Sequence, residues 1–330
     1  MFGEPRPALD QESPDPRGGR ATPPRRRRRP RRGHRRSPAA AWLLFGPAAL
    51  VMGLVLIYPL GRLVVNSFQN YGLRALFLGT VEWTGLDNYF KVFVDPSFWP
   101  VLLRTAGFTI ALVVGVMVIG MLIGELMMHI SPWVRTLLNV VLIVAWAIPV
   151  VTSTLVWQWL FQPLYGVLNY LITQLRVFGD YTSHNWTGSA LSGFFIVWLL
   201  IVWQSIPFVA FTLYAGRSQI PEDYFEAAAL DGASGFKIYR LITLPFLRPV
   251  LYLVVILELI WQFNAFTQLW ILTRGGPSGS TTTLSIWSFQ TAFASNSFGV
   301  GSAIAVVTTV LLILITAGYI RRLIKQGEAL

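Results

Sequence analysis

Residues 221–249, PEDYFEAAALDGASGFKIYRLITLPFLRP, form the only long polar interruption in the second half of a chain otherwise built of apolar runs. Pro221 and the acidic residues after it are typical of a helix start, because proline is tolerated in the first turn and carboxylates favour the positive end of the helix dipole. Phe225 and Ala229 follow at helical spacing. The stretch therefore begins with a short helix that has one apolar face.

The same stretch predicts a second short helix. Gly232 is expected to stop the first helix, Ser234 to cap the second, and Pro245 to end it. Two short helices with an acidic first turn, lying between apolar runs, indicate a docking surface for a partner. An ordinary loop between membrane spans fits the same periodicity equally well.

The composition predicts a membrane protein. Of the 330 residues, 54% are hydrophobic and only 12% are charged, and the mean hydropathy is +0.56. Soluble domains carry roughly twice that charged fraction, about 25%. The 13 tryptophans suit a membrane protein, and the absence of cysteine excludes disulfides and thiolate metal sites.

The strong positive charge belongs mainly to the N-terminal tail. Residues 1–37 hold 12 of the 26 Lys and Arg against four acidic residues, which accounts for +8 of the net +11. We interpret 1–37 as a disordered, Arg/Pro-rich cytoplasmic tail that lies against anionic lipid, and 38–330 as the membrane domain. A nucleic-acid-binding arm is the alternative, and a secretory signal peptide is not expected.

Six apolar runs are long enough to span a membrane as helices. They cover residues 40–65, 104–128, 134–160, 191–215, 250–272 and 300–320. Only HISPWVR separates the second run from the third, which predicts a tight hairpin. The predicted fold is an all-α membrane protein of six transmembrane helices.

Basic residues in the loops predict the orientation. With the N-terminus inside, eight basic residues lie in cytoplasmic segments and six on the opposite side, and the tail raises the ratio to twenty against six. The positive-inside rule therefore predicts a multi-pass protein of the bacterial cytoplasmic membrane with both termini in the cytoplasm. The loop 216–249 then faces the cytoplasm.

Sequence motifs give no sign of an enzyme. The three histidines, His34, His129 and His184, lie in separate segments, and no HExxH or CxxC motif is present. A P-loop and a GxSxG motif are also absent, so we expect no catalytic residue, no metal site and no ATP bound by this chain.

Polar residues inside two apolar runs are the candidates for a substrate pathway, because such residues are costly in lipid. Aromatic rings together with amides and hydroxyls suit a neutral, hydroxyl-rich ligand. The alternative is interhelical hydrogen bonding, and Glu125 in the second run is expected to be structural. The candidate residues are Gln204, Ser205, Phe208, Glu258, Trp261, Gln262, Asn264 and Ala265.

Three short segments within 226–245 carry a family resemblance. Glu226-Ala227-Ala228, Asp231-Gly232-Ala233 and Ile242-Thr243-Leu244-Pro245 resemble the EAA loop of permease subunits in binding-protein-dependent ABC importers. Residues 83–109, 164–172 and 272–284 resemble the first permease subunit of the maltose-type, carbohydrate-importing class. The likeness covers roughly 40–325, and it implies a type I importer permease fold with a cytoplasmic coupling helix.

The resemblance also implies roles for individual residues. Glu226 would pair with a basic residue of an ATP-binding subunit, Ala227 and Ala228 would allow close approach, and Gly232 would make the turn, with Asp231 and Pro245 in the same motif. The sugar-contacting stretches of the family match two sets of residues here: Glu258, Trp261, Gln262 and Ala265, and Ile201, Gln204, Ser205 and Phe208. Ile201 and Ala265 stand where the maltose permease subunit has asparagines, so maltose itself is not carried over as the substrate.

The implied function is alternating-access import of a sugar, with ATP and Mg²⁺ bound by partner subunits. The implied partners are a second permease subunit in a heterodimer, two ATP-binding subunits, an extracytoplasmic solute-binding protein and membrane lipid, but no nucleic acid. Importers of glycerol phosphate or another polyol-type solute are the nearest alternative, and a secondary transporter is a more distant one.

Overall fold

The structure, a computed structural model, describes residues 38–176 and 179–325. The predicted tail, residues 1–37, lies outside the described residues. The chain divides into two compact units, one ending at Gly53 and the other running from Leu54 to Leu330.

The described residues are mostly helical, as the composition predicts. The helices of the first half are α1 (Pro38–Met52), α2 (Tyr58–Ser67), α3 (Leu73–Leu78), α4 (Asp87–Val94), α5 (Phe98–His129), α6 (Pro132–Ala147), α7 (Val150–Leu160) and α8 (Val167–Leu175). Those of the second half are α9 (Ala190–Arg217), α10 (Asp223–Leu230), α11 (Gly235–Ile238), α12 (Leu244–Phe263), α13 (Thr267–Leu272), α14 (Leu284–Phe289) and α15 (Phe298–Lys325). π-Helical turns occupy Gly53–Ile57, Tyr239–Thr243 and Gln290–Ala294, a 3₁₀ turn occupies Trp186–Gly188, and β1 (Gln69–Asn70) pairs antiparallel with β2 (Glu82–Trp83), Gln69 opposite Trp83.

Five helical stretches of the described residues are long and apolar enough to cross a membrane, namely Phe45–Ser67, Phe98–His129, Ala190–Arg217, Gly235–Leu272 and Phe298–Lys325. The helix pair Pro132–Ala147 and Val150–Leu160 makes the sixth if it is taken as one span. These six segments correspond to the six predicted runs, and the all-α membrane fold is confirmed.

The third predicted span is wrong as a straight helix. Its two halves, α6 and α7, meet at an angle of 99°. Ile148 and Pro149 at the break are both extended, with ψ values of 125° and 138°. A proline disfavours the helical conformation of the residue before it and has no N–H to donate, so the helix ends and restarts in a new direction.

The prediction that Pro245 ends the second short helix is also wrong. Helix α11 passes through the π-helical turn Tyr239–Thr243 directly into α12, where Pro245 lies in the first turn. A wider turn placed just before a proline accommodates the missing hydrogen bond, so the helical path continues into the membrane span. Ser234 precedes α11 but makes no side-chain capping hydrogen bond.

The core of the larger unit lies between α5 and α9. A Cβ added to Gly120 would meet Val209 Cγ1 at 2.5 Å, and one added to Gly124 would meet the carbonyl oxygen of Ala210 at 3.2 Å. Glycines at this i, i+4 spacing let two helix backbones approach closely, which is the usual way to pack helices in lipid. This close packing makes α5 and α9 one rigid pair, and the fully buried side chains around it include Leu112, Val116, Val197, Leu200 and Val209.

Candidate functional site

A cavity of about 410 Å³ lies where α9, α12 and α13 face the α6–α7 bend. This volume is within the range of ligand pockets, roughly 300–1,000 Å³. All eight candidate pathway residues line it, and their role in transport stays a prediction. The wall consists of Gln204, Ser205 and Phe208 with Ile201 on α9, Glu258, Trp261 and Gln262 on α12, and Asn264, Ala265, Phe266, Thr267 and Gln268 after α12, together with Ala145, Trp146, Ile148 and Val150.

The α12 wall carries a buried carboxylate. Glu258 is completely buried, and its Oε2 accepts a hydrogen bond of 2.8 Å from Nε2 of Gln262, one helical turn further on. The same amide donates to Oγ of Ser205 on α9 over 3.1 Å. Oε1 of Glu258 is buried and has no hydrogen-bond partner. Buried polar atoms are nearly always paired, so an unpaired carboxylate oxygen is an unusual feature of this wall.

A second hydrogen-bonded chain runs along the other side of the cavity. Nε2 of Gln204 donates to Oγ of Ser153 on α7, and Nε2 of Gln268 donates to Oε1 of Gln204 over 2.9 Å. Gln204 therefore links three separate helices. Ser153 does not line the cavity, and the sequence analysis did not identify it. The signal was the adjacent hydroxyl pair Ser153–Thr154, four residues after the proline that bends this span.

Apolar groups complete the wall. The rings of Phe208 and Trp261 meet edge to face, with centroids 5.2 Å apart, and Trp261 is half exposed. The side chain of Asn264 donates to the carbonyl oxygen of Ile260, so it mainly closes the end of α12. Aromatic faces beside amides and a carboxylate can bind a ligand that has both apolar ring faces and hydroxyl groups.

The charge of the cavity is set by one residue. Glu258 is the only ionisable side chain among the described residues that line it, and no Lys or Arg is present there. Nor does the described part of the chain contain a group of three or more His, Asp or Glu that could hold a metal ion. The wall therefore offers hydrogen-bonding groups and aromatic rings.

Most of the predicted coupling residues lie on the exposed helix α10 or in the turn that follows it, outside the cavity. Helix α10 has no buried residue, and Glu226, Ala227, Asp231 and Gly232 are all exposed. Pro245 lies apart from them, inside α12. As the sequence predicts, the turn at Gly232 stops α10, and Gly232 has a φ of +71° that a residue with a side chain rarely adopts.

The turn after α10 has a defined geometry. The N–H of Ala233 donates to the carbonyl oxygen of Ala228, and that of Gly232 to the carbonyl oxygen of Ala229. These two bonds form a Schellman motif, which satisfies the last carbonyls of α10 and explains the glycine. Two large apolar side chains flank the turn in solvent: Leu230 is 89% exposed and Phe236 is 76% exposed. Neither residue was predicted from sequence as a candidate, although exposed apolar residues beside a polar turn are a sign of an interface.

Residues 116–327 match the family model described as "binding-protein-dependent transport system inner membrane component". The chain belongs to this family. The matched range contains both the cavity and α10, so the resemblance drawn from the EAA motif is confirmed.

Curated relatives cover almost the whole permease. It is 42% identical over 294 residues to the diacetylchitobiose uptake system permease protein of Streptomyces coelicolor, covering 89% of each chain. It is 33% identical to the sulfoquinovosyl glycerol transport system permease protein of Agrobacterium fabrum, covering 85% of this chain and 89% of the relative. It is 31% identical to the trehalose/maltose transport system permease protein of Thermococcus litoralis, covering 87% and 94% respectively.

A solved structure has the same fold. A chain of a bacterial ABC transporter involved in the import of the acidic polysaccharide alginate matches this permease with a TM-score of 0.72 at 16% identity, covering 86% of this chain and 96% of that one. The type I importer fold that the resemblance implied is thus confirmed for this permease.

Proposed function

We propose that this permease subunit imports a neutral sugar, as a mono-, di- or oligosaccharide, by alternating access in an ATP-driven importer. The observation that carries the proposal is the cavity between α9 and α12, where amides, a hydroxyl, aromatic rings and one carboxylate face about 410 Å³ of space. The names of the diacetylchitobiose and trehalose/maltose relatives support a sugar as the substrate.

The chemistry of the wall favours a donor-rich solute. Sugar hydroxyls can donate to the amide oxygens of the wall and can exchange with the hydrogen bond between Gln262 and Ser205. The apolar faces of a sugar ring can pack against Phe208 and Trp261. A sugar therefore satisfies both kinds of group that the cavity presents.

An anionic solute fits this cavity poorly. Glycerol phosphate, the nearest alternative, would bring its negative charge close to the buried carboxylate of Glu258, with no Lys or Arg on the wall to balance it. A neutral polyol is separated from a sugar by the uptake experiment below.

We further propose that α10 docks on an ATP-binding subunit. Its exposed Glu226, the small residues after it and the apolar side chains of Leu230 and Phe236 support an interface at this helix. In this assembly a second, different permease subunit completes the pathway, and two ATP-binding subunits bind ATP and Mg²⁺ and hydrolyse the ATP. The chain itself then binds no cofactor and catalyses no reaction.

The remaining assignments concern the membrane and the external partner. The positive-inside count supports a cytoplasmic position for both termini and for α10. An extracytoplasmic solute-binding protein delivers the sugar to the opposite face. A solved complex of the bacterial alginate transporter with its periplasmic protein supports this arrangement.

Uptake competition tests the proposed substrate. Proteoliposomes that contain this permease with its neighbouring transporter subunits and binding protein are loaded with ATP, and uptake of labelled neutral sugars and polyols is compared. We expect Gln262→Ala to weaken inhibition of labelled uptake by the unlabelled transported sugar about fivefold, because one neutral hydrogen bond is lost. Gln174→Ala changes an exposed residue of α8 and should leave this inhibition unchanged. Equal uptake of polyols and sugars, or an unaffected Gln262→Ala variant, would contradict the proposal.

A further inference from the structure

Helix α10 is held to the membrane helices by two adjacent aromatic side chains. No residue of α10 is buried, and a cleft of about 530 Å³ separates much of it from α5 and α9. Tyr224 and Phe225 extend from its first turn to different spans. These two side chains make the aromatic contacts between α10 and the membrane helices.

Phe225 contacts an arginine at the end of α9. The guanidinium carbon of Arg217 lies 3.7 Å from the centroid of the Phe225 ring, which is the stacking distance of a cation–π pair. The side chain of Arg217 is only 13% exposed. A planar guanidinium held at this distance fixes the ring against the end of α9.

The same arginine also reaches α5. Its Nε lies 3.7 Å from Oε2 of Glu125, and the other carboxylate oxygen lies 3.8 Å from Nδ1 of His129, one turn further along α5. Glu125, which the sequence indicates is structural, thus balances the charge that stacks on α10. Glu222 and Tyr239 are the other titratable groups that line this cleft.

Tyr224 contacts the fifth span. Its ring meets that of Phe246 in α12 edge to face, with centroids 5.2 Å apart. The two neighbouring residues of α10 are therefore attached to different walls of the cavity: Tyr224 to α12, which carries Glu258 and Gln262, and Phe225 through Arg217 to α9.

We propose that Arg217 is a positioning residue for coupling, which joins α10 to the rigid α5–α9 pair through Phe225 on one side and Glu125 on the other. The inference rests on the proposed docking of α10 on an ATP-binding subunit. A displacement of α10 then moves α9, with Gln204 and Ser205, while the Tyr224–Phe246 contact moves α12. Both polar walls of the cavity respond to one motion. Without Arg217, α9 follows a displacement of α10 only through the connecting residues 218–222, so less of the motion reaches it.

The readout is the number of ATP molecules hydrolysed per sugar molecule transported, in proteoliposomes that contain the full set of subunits. We expect Arg217→Gln to raise this ratio about fivefold, because it removes both the charge and the stacked face. Arg217→Lys keeps the charge beside Glu125 but not the planar face, so we expect an increase of about twofold. Co-purification of the ATP-binding subunits stays at the native level in both variants.

Arg135 offers a matched control. Its guanidinium carbon lies 5.7 Å from the ring centroid of Tyr214, so it also pairs an arginine with an aromatic ring of α9, but it makes no contact with α10. Arg135→Lys should leave the ratio at the native value.

A double-mutant cycle separates coupling from simple structural support. Phe225→Leu keeps an apolar side chain on α10 and removes the ring, and we expect Arg217→Lys to have no further effect in that background. If the two substitutions raise the ratio of ATP hydrolysed to sugar transported by independent factors that multiply in the double variant, the inference is overturned. It is also overturned if Arg217→Lys and Phe225→Leu each keep the native ratio. If Arg217→Gln does not reach the membrane, these two milder variants decide the question.

The control for the proposed function is the native complex. If the native complex hydrolyses ATP without moving any sugar, the proposed function fails. If the native complex transports sugar and the Arg217 and Phe225 variants have the same ratio of ATP hydrolysed to sugar transported, only the role of Arg217 fails.

Discussion

Replacing the buried carboxylate of Glu258 by an amide should weaken competition for uptake by neutral sugars and strengthen competition by acidic sugars. Glu258→Gln keeps the shape of the side chain and its position in the cavity wall, but replaces an ionisable group by a neutral one. A hydrogen bond to a charged group contributes about 1.5–3 kcal/mol and a neutral one about 0.5–1.5 kcal/mol. The loss of roughly 1–1.5 kcal/mol corresponds to about tenfold weaker competition by the neutral sugar.

The effect on an acidic sugar follows from the repulsion between like charges. A carboxylate bound in this cavity at roughly 5 Å from an ionised Glu258 would be a like charge in the same cavity. At an effective dielectric constant of about 20, two like charges at that distance repel by roughly 3 kcal/mol. Removing that repulsion should improve competition by an acidic disaccharide by about 100-fold.

The assay is inhibition of labelled sugar uptake by a neutral disaccharide and by a uronic acid disaccharide of the same length. Glu82→Gln in β2 is the matched control, because Glu82 is exposed and outside the cavity. If Glu258→Gln leaves the neutral-to-acidic preference as it is in the native permease, Glu258 carries no charge that a substrate senses, and the argument for a neutral substrate is refuted.

Three further substitutions test the helix packing and the α10 surface. Gly232→Ala places a side chain at a φ of +71°, which costs about 1 kcal/mol, and should lower ATP-driven uptake while the protein still inserts in the membrane. Gly120→Val sets a side chain against Val209 across the α5–α9 contact and should destabilise the permease by about 1–3 kcal/mol, measured as a lower thermal unfolding temperature in detergent. Leu230→Ser should weaken binding of the ATP-binding subunits by about tenfold in a pull-down titration, with no change in thermal unfolding, because Leu230 is 89% exposed.

Each of these substitutions has a matched control in the chain. Gly235→Ala and Gly107→Val place the same side chains where nothing lies within 4 Å, so both should behave as the native protein. Leu191→Ser removes an apolar side chain that is 84% exposed at the start of α9 and should leave subunit binding unchanged. If a control variant loses as much uptake, stability or subunit binding as the variant to which it is matched, the mechanism assigned to that variant is contradicted.

The spans could be predicted from sequence because hydropathy over about 20 residues is a local property. The bends of the spans could not be predicted from sequence, because each bend depends on how the backbone around a proline is arranged. Pro149 turns α6 into α7 by 99°, Pro207 lies within the uninterrupted α9, and Pro245 follows a π-helical turn that keeps the helix intact. The three prolines look alike in sequence and differ in the backbone around them.

The hydrogen bonds of the cavity also differ in how far the sequence predicts them. Glu258 and Gln262 could be paired from sequence because they are one turn apart on one helix. Ser153, which pairs with Gln204, comes from a helix whose direction depends on the bend at Pro149. Contacts within one element are visible in the sequence, whereas contacts between elements require the fold.

The most direct test of the account is ATP-dependent sugar uptake by proteoliposomes that contain the native permease or Glu226→Ala with all partner subunits. The account predicts that the native complex takes up sugar only with ATP, and that Glu226→Ala loses uptake while still inserting in the membrane. Uptake that survives both ATP removal and Glu226→Ala would contradict it and would indicate a secondary transporter.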